Sequence, residues 1–352
     1  MREGSIRATS FDVAALAGVS QSAVSRAFTP GSSIKETTRL KIIEAARKLN
    51  YVPNSIASSL TRSRSNMVAL IIGNLGNPFY VHTLHAFSQE LQRLGKQVLT
   101  FTLSEGMESD EAILKVLQYQ VESVILTSAQ LSTRMINLCQ DRGINVVLFN
   151  RYIPYSGAYG VRCDNVAGGR MIAEAFLAAS AKSFMLIAGD PNGTTSPDRI
   201  RGFIERLLEA GIRRETILEY AGGSSYDGGG AAIDQHMAKG LPLPDAIFGI
   251  ADIMAMGAMD RLRATYGKRI PEDVLVAGFD GIPEAGRAPY QLTTVRQPIA
   301  EMVGETLRLL NLTGGKKLGR DDSDDVVAVE LGRDLPIPGE MIWRSTVPKT
   351  AE

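Results

Sequence analysis

Two patterns of apolar and polar positions divide the chain. Between Thr9 and Leu60 the apolar residues come in short helical bursts separated by turn residues. Thr9-Ser10-Phe11-Asp12 fits a capping box, with Thr9 covering free N–H groups and Asp12 reaching back, and opens a helix that runs to about Ala17. Ser20 is an N-cap for a second helix, Gln21 to about Phe28. Ala14 permits close approach of the two helices, Gly18 can take the positive φ of the turn, and Val24 plugs the apolar side of the second helix. Their spacing is that of a helix-turn-helix. Ala23, Val24 and Ala27 face inward, which leaves Gln21, Ser22, Ser25 and Arg26 outward. A third helix is expected from near Glu36 to near Asn50, with Leu40, Ile43 and Leu49 as its apolar stripe, and Pro53 lies just beyond its end. Ser33 with Glu36 is expected to cap it, because Lys35 holds the usual cap position.

From Met67 the period changes. Short apolar runs (67–73, 98–101, 124–127, 146–149) alternate with amphipathic helical segments (79–94, 108–120, 131–141). A second round has strands at 184–188, 217–220, 246–249 and 274–277, with helices at 164–179, 197–210, 226–239 and 252–266. A returning strand at 292–295 and a final helix at 299–311 follow. Such alternation predicts two doubly wound α/β lobes behind an all-α head.

Charge sharpens the division. The 352 residues carry no net charge, yet residues 1–64 hold ten Lys/Arg against four acids, leaving 28 basic and 34 acidic residues in the remainder. A basic head on an acidic body is the footprint of a nucleic-acid-binding module. Gln21 can pair with adenine and Arg26 with guanine or phosphate, while Thr9, Ser20, Ser22 and Ser25 add hydroxyls at the same surface. Residues 54–61 form a short Ala/Ser-rich stretch, marginal as an isolated helix, with Leu60 as an apolar wedge for a minor-groove step; a plain linker is the alternative. No apolar run is long enough to span a bilayer and the first ten residues lack a signal-peptide core, so a cytoplasmic protein is expected. Two cysteines, Cys139 and Cys163, read as buried thiols rather than a disulfide framework.

The run DVAALAGVSQSAVSRAF, followed by LNYVPNSIASSL, resembles the LacI/GalR family of bacterial transcription regulators, and the likeness continues through nearly the whole chain. The resemblance implies a ligand-responsive regulator, a repressor, that binds a near-palindromic, double-stranded operator as a homodimer through a helix-turn-helix domain (1–53). It also implies a hinge helix and linker (54–65) with Asn54, Ala57 and Leu60 at the DNA, and a periplasmic-binding-protein-like body (66–352). By the same resemblance one lobe takes about 66–162 plus 292–325 and the other about 163–291 plus 326–352. A small-molecule effector, sugar-like, is expected between the lobes, with no cofactor, no metal, no membrane contact and no enzymatic activity. A tetramer-forming C-terminal helix is not expected, because Pro336, Pro338 and Pro348 interrupt that region.

Ligand candidates are residues at strand ends, Phe79 and Tyr80 after the first strand, Asn150 and Arg151 after VVLF and Asp252 opening DIMAMGA, together with Arg199, in the segment RIRGF that resembles the family's R-x-x-G-F. Each has a plainer alternative: Phe79 as core, Arg151 as surface charge, Asp252 as a helix cap. Other signals carry less. His82 and His85 share a helix face but lack a third ligand, and the glycines at 222–230 lack the Lys-Ser/Thr of a phosphate loop. Gly168-Gly169 suits close packing of a helix on a sheet, and Met254, Met256 and Met259 read as core. No nucleophile–base or paired-acid signature is present.

Overall fold

A computed structural model describes residues 8–29, 31–53, 65–103, 109–127, 132–153, 156–312 and 334–349. The chain divides into a head, Met1–Asn66, and a body, Met67–Glu352.

Among the described residues the head has three helices, α1 (Ser10–Ala17), α2 (Gln21–Ala27) and α3 (Glu36–Lys48). The capping box at Thr9 and Asp12 is formed, and Gly18 ends α1 at φ 66°. Ser20 caps α2, its side chain accepting from the Ala23 N–H. Val13, Ala14, Ala23, Val24, Ala27, Ile42, Ala45 and Ala46 make the core. The stripe of α3 therefore differs from the expected one: Leu40 is 59 % exposed and Ile43 37 %, while Ile42, Ala45 and Ala46 turn inward. Two alanines serve because helices this short pack closely, and the branched residues beside them fall on the outer side. The cap of α3 also differs: Lys35 occupies the position and supplies no side-chain hydrogen bond.

Among the described residues the body contains two six-stranded sheets. The first is built from β1 (Met67–Ile72), β2 (Gln97–Thr102), β3 (Ser123–Leu126), β4 (Asn145–Phe149), β5 (Tyr159–Cys163) and β11 (Asp334–Ile337). The second takes β6 (Phe184–Ala188), β7 (Ile217–Ala221), β8 (Ala246–Gly249), β9 (Leu275–Asp280), β10 (Thr293–Arg296) and β12 (Glu340–Ile342). Their orders, β11-β5-β4-β3-β1-β2 and β12-β10-β9-β8-β6-β7, are the same doubly wound arrangement used twice. All pairings are parallel except β10 with β12. The central strands are buried on both faces, which is why they read as continuous apolar runs.

Three features depart from the expected lobes. Thr293 pairs with Ala277, so β10 belongs to the second sheet, and the chain crosses back only after Arg296. Asp334–Ile337 pairs with β5 in the first sheet, so the last crossing falls between Ile337 and Glu340. β5 itself was not legible: Tyr159–Cys163 contains a glycine and an arginine, and Arg162 is held there by Asp334 of the neighbouring strand. Pro336 is tolerated because β11 is an edge strand, where no further neighbour needs its missing N–H. The acidic stretch 321–325 lies outside the described residues.

The body helices are α4 (Pro78–Arg93), α5 (Ser109–Val116), α6 (Thr133–Asp141), α7 (Asn165–Ala178), α8 (Thr195–Glu209), α9 (Tyr226–Ala238), α10 (Asp252–Tyr266) and α11 (Ile299–Leu309). Met254, Met256 and Met259 are core, as are both cysteines, whose thiols burial pushes up to about 11 at Cys139 and about 12 at Cys163. Gly168 and Gly169 serve two contacts rather than one. A side chain on Gly168 would begin 2.4 Å from the Phe279 ring, and one on Gly169 would begin 2.2 Å from the Arg199 carbonyl oxygen. From the other helix, a Cβ on Gly202 would lie 2.0 Å from the Val166 carbonyl oxygen. The backbones of α7 and α8 thus touch directly.

Gly202→Ala is expected to destabilise the body by roughly 1–3 kcal/mol through overpacking. Gly304→Ala, in α11 with nothing within 4 Å of the added methyl, is expected to stabilise it by about 1 kcal/mol. Thermal or urea unfolding of the two variants checks the opposite signs.

Candidate functional site

The head presents one polar helix face. The Ser20 cap sets the first turn of α2, and Ala23, Val24 and Ala27 bury the inner side. Gln21, Ser22, Ser25 and Arg26 consequently point outward and are exposed. Gln21 Nε2 donates to Ser10 Oγ (3.3 Å), which ties the start of α2 to α1, and Ser20 Oγ lies 3.0 Å from Ser22 Oγ. Arg26 forms no ion pair among the described residues. The arrangement offers an amide, hydroxyls and a guanidinium on a narrow helix face, the groups that read base edges and hold phosphates. Asn54, Ala57 and Leu60 lie outside the described residues.

In the body, the loops at the C-terminal strand ends of the two sheets face one another across a boundary lined with polar groups, called the cleft below. Its floor is an ion pair buried in the second lobe. Arg199 Nη1 lies 3.1 Å from Asp280 Oδ1, with side chains 4 % and 3 % exposed. Arg199 Nε donates to Asn165 Oδ1 (2.8 Å) and Nη1 also to the Ile250 carbonyl oxygen (2.6 Å). Its guanidinium stacks on Phe279, 3.7 Å from the ring centroid. Asp280 further accepts from Gln297 Nε2 (2.7 Å) and, across the cleft, from Asn77 Nδ2 (3.3 Å). Asn74 Nδ2 donates to the Ser224 carbonyl oxygen (3.4 Å), and His82 meets Glu284 at 3.2 Å, so groups on α4 and the loop before it bind the second lobe at three points. Near the crossings, Arg162 pairs with Asp334 (2.7 Å), stacks on Tyr152 and reaches to 3.9 Å from Asp198.

The sequence candidates separate on this geometry. Phe79 and Tyr80, expected on a ligand wall, are buried in the core, because Asn77 caps α4 and turns the residues after Pro78 under the sheet. Asp252 is fully buried and is not a cap, a position held by Ala251. Its oxygens accept from Ile282 N–H (2.9 Å) and Thr294 Oγ1 (2.6 Å), inside the second lobe. Arg199 faces the cleft floor but is neutralised by Asp280. Asn150 and Arg151 remain as cleft groups with unmet hydrogen-bonding capacity: Asn150 Oδ1 and Arg151 Nε and Nη1 are buried with no partner. Asn165 Nδ2, Thr194 Oγ1, Asp198 Oδ2 and Gln297 Oε1 share that condition. Asn77, Asp280 and Gln297 were not among the candidates. Asp280 could have been found as the last residue of a strand, followed by Gly281, whereas Asn77 and Gln297 gain meaning only from what lies across from them.

The comparisons agree with both halves. Residues 11–54 match the family described as bacterial regulatory proteins, lacI family, and residues 173–318 match a periplasmic binding protein-like domain. The HTH-type transcriptional regulator CelR of Thermobifida fusca is 31 % identical over 305 residues, 85 % of this chain and 89 % of that protein. The chain belongs to the LacI family. The ribose operon repressor of Bacillus subtilis (strain 168) is likewise 31 % identical, covering 86 % of this chain and 90 % of its own. Among solved structures, a lac repressor dimer bound to operator and the anti-inducer ONPF shares the fold, with a TM-score of 0.81 at 23 % identity over 97 % of this chain and 99 % of that one. A CelR–cellobiose complex matches with a TM-score of 0.67 at 27 % identity, covering 97 % and 100 %. This LacI-family chain is therefore a DNA-binding transcriptional regulator with a ligand-binding body. Among the described residues no helix is long and apolar enough to cross a membrane.

Burial, together with the charge of neighbouring Asp280, pushes the Asp252 carboxyl up to about 8. Burial also raises Asp280, and Arg199 pulls it back. Asp252 thus keeps a proton in the folded state that the unfolded chain has released, so stability falls as pH rises from about 4 to about 8. Asp252→Asn is expected to flatten that part of the curve of melting temperature against pH. Arg199→Ala leaves Asp280 buried without its cation and is expected to cost about 3–5 kcal/mol in denaturant unfolding.

Proposed function

We infer that this regulator is a repressor that binds a near-palindromic operator as a homodimer and answers to a sugar or sugar derivative held between the two lobes of its body. The observation that carries the effector reading is the cleft. Asn77 and Arg151 come from the first lobe; Asn165, Arg199, Asp280 and Gln297 come from the second. Several of these groups have buried hydrogen-bonding atoms without partners, as a ligand rich in hydroxyls requires. The relatives' names point the same way: one is a ribose operon repressor and another was solved with cellobiose. The body binds its ligand and does not turn it over, in keeping with relatives that are transcriptional regulators.

A ligand that bridges the lobes favours one lobe arrangement over the other, and only that difference in affinity can couple to DNA. The hinge helix and linker, 54–65, are the coupling element in this reading, with 54–60 a marginal helix that forms on the operator in one state of the body and not in the other. Leu60 is its wedge at a minor-groove step, with Asn54 and Ala57 beside it. Thr9, Ser20, Gln21, Ser22, Ser25 and Arg26 contact the major groove and its flanking phosphates.

Two measurements test the reading. A mobility-shift assay on the DNA upstream of the chain's own gene should give a specific complex that a sugar in the panel dissolves or strengthens. Leu60→Ser should weaken that complex far more than binding to unrelated DNA; equal loss on both rejects the wedge. A thermal-shift screen of sugars should raise the melting temperature of the body, by about 2.7 kcal/mol of stabilisation at a hundredfold excess over Kd. No shift with any sugar rejects the effector class.

A further inference from the structure

The cleft residues differ sharply in how their charge is balanced. Arg199 is matched by Asp280, Arg162 by Asp334, and Arg201 by Asp198 at 2.9 Å. Arg151 is matched by nothing: among the described residues it forms no ion pair, and its Nε and Nη1 are buried without an acceptor. Its position is fixed by the backbone. β4 ends at Phe149, and Asn150 takes a left-handed turn at φ 59° while its N–H donates to the Val161 carbonyl oxygen at 2.7 Å. The Arg151 side chain then reaches across to the loop between β6 and α8 in the second lobe. Nη1 lies 3.9 Å from the point where a side chain on Gly193 would begin, so the glycine leaves the space beside the guanidinium open. The nearby carboxylate on that loop, Asp190, is exposed and is turned to the Asn192 N–H at 2.9 Å. Next to Gly193, Thr194 Oγ1 also lacks a partner, as does Asn150 Oδ1 on the near side.

A neutral sugar can satisfy the amide and hydroxyl groups of such a pocket. It leaves the half-buried guanidinium with no counter-charge, and its two buried nitrogens need acceptors that only a well-placed hydroxyl could offer. An acid group supplies both the charge and acceptors for N–H groups, and charge-assisted hydrogen bonds of this kind are the strong ones. We propose that the effector is a sugar carrying an acid group, a carboxylate or a phosphate, and that Arg151 binds that group against the loop at Gly193. The proposal rests on the cleft being the effector site, as inferred above, and adds the ligand's charge.

Isothermal titration of the full chain tests it with matched probes: glucose and galactose against glucuronate, galacturonate, gluconate and glucose 6-phosphate. An acidic probe should bind at least about tenfold more tightly than its neutral parent, the size of one charge-assisted hydrogen bond. Whether the carboxylates or the phosphate bind names the acid. Arg151→Gln should remove that advantage without lowering the melting temperature of the unliganded protein, since it takes away an unmatched, half-buried charge. A neutral probe that binds as tightly as its acid overturns the proposal and leaves the cleft reading standing. So does an unchanged affinity for the acid in Arg151→Gln. Binding by none of the six probes overturns the proposal and counts against the cleft reading with it. The comparison within the wild-type protein decides the matter even if the variant folds poorly.

Discussion

The body depends on one buried ion pair. Arg199 and Asp280 sit almost out of reach of water, and each is held by several neutral partners as well as by the other. Two charges in such a place stabilise a fold only when their remaining donors and acceptors are met, and here Asn165, the Ile250 carbonyl and Gln297 meet most of them. Phe279 supplies a flat face under the guanidinium. The pair is therefore held rigidly inside the second lobe. It also balances the charge of Arg199 internally, whereas Arg151 Nε and Nη1 are buried without a partner.

The packing around that pair explains its rigidity. Gly168 leaves room for the Phe279 ring, and Gly169 and Gly202 let α7 and α8 meet backbone to backbone. Asn165 opens α7 and Arg199 lies on α8, so the close crossing brings them within hydrogen-bond distance. The same device recurs where α9 meets α10: a Cβ on Gly229 would fall 2.1 Å from the Met254 carbonyl oxygen, and one on Gly257 would fall 1.9 Å from that of Tyr226. The second lobe is thus clamped by two glycine-lined helix pairs. The contacts between lobes are of another kind. Asn77–Asp280 is a single buried hydrogen bond, while Asn74–Ser224 and His82–Glu284 are single, partly exposed polar contacts of the kind that exchanges with water at low cost. Stiff lobes joined by replaceable contacts suit a cleft whose two arrangements differ little in energy.

Much of this was legible in the chain. The head could be read because its signals are local: Thr9 with Asp12, Gly18 at the turn, Ser20 before α2 and Val24 in the core are each set by near neighbours. The strands of the body could be read because those buried on both faces become unbroken apolar runs. Where reading failed, a distant partner had decided. Leu40 and Ile43 have helical spacing, but the face of α3 that meets α1 and α2 is the one with Ile42 and the alanines. β5 and β11 pair with each other across more than 170 positions in sequence, and a salt bridge between Arg162 and Asp334 stands where apolar residues would have marked them.

The ligand candidates make the same division. Strand-end position is a property of sequence, and it pointed to Asn150 and Arg151, while the likeness of RIRGF to the family's segment pointed to Arg199, which lies inside α8. Which of these is spent inside the lobe and which still lacks a partner depends on the residues that tertiary folding brings alongside: Asp280 beside Arg199, Ile282 and Thr294 beside Asp252, and a glycine beside Arg151. The sequence by itself determined the family, most of the order of elements and the polar outer face of α2, because local hydrogen bonds and hydrophobic period are written along the chain. Only the tertiary structure decided the exchange of strands between lobes and the balance of charge in the cleft. Those depend on pairings between residues far apart in sequence, and in the cleft the cost of burying a charge falls to whichever group ends without a partner.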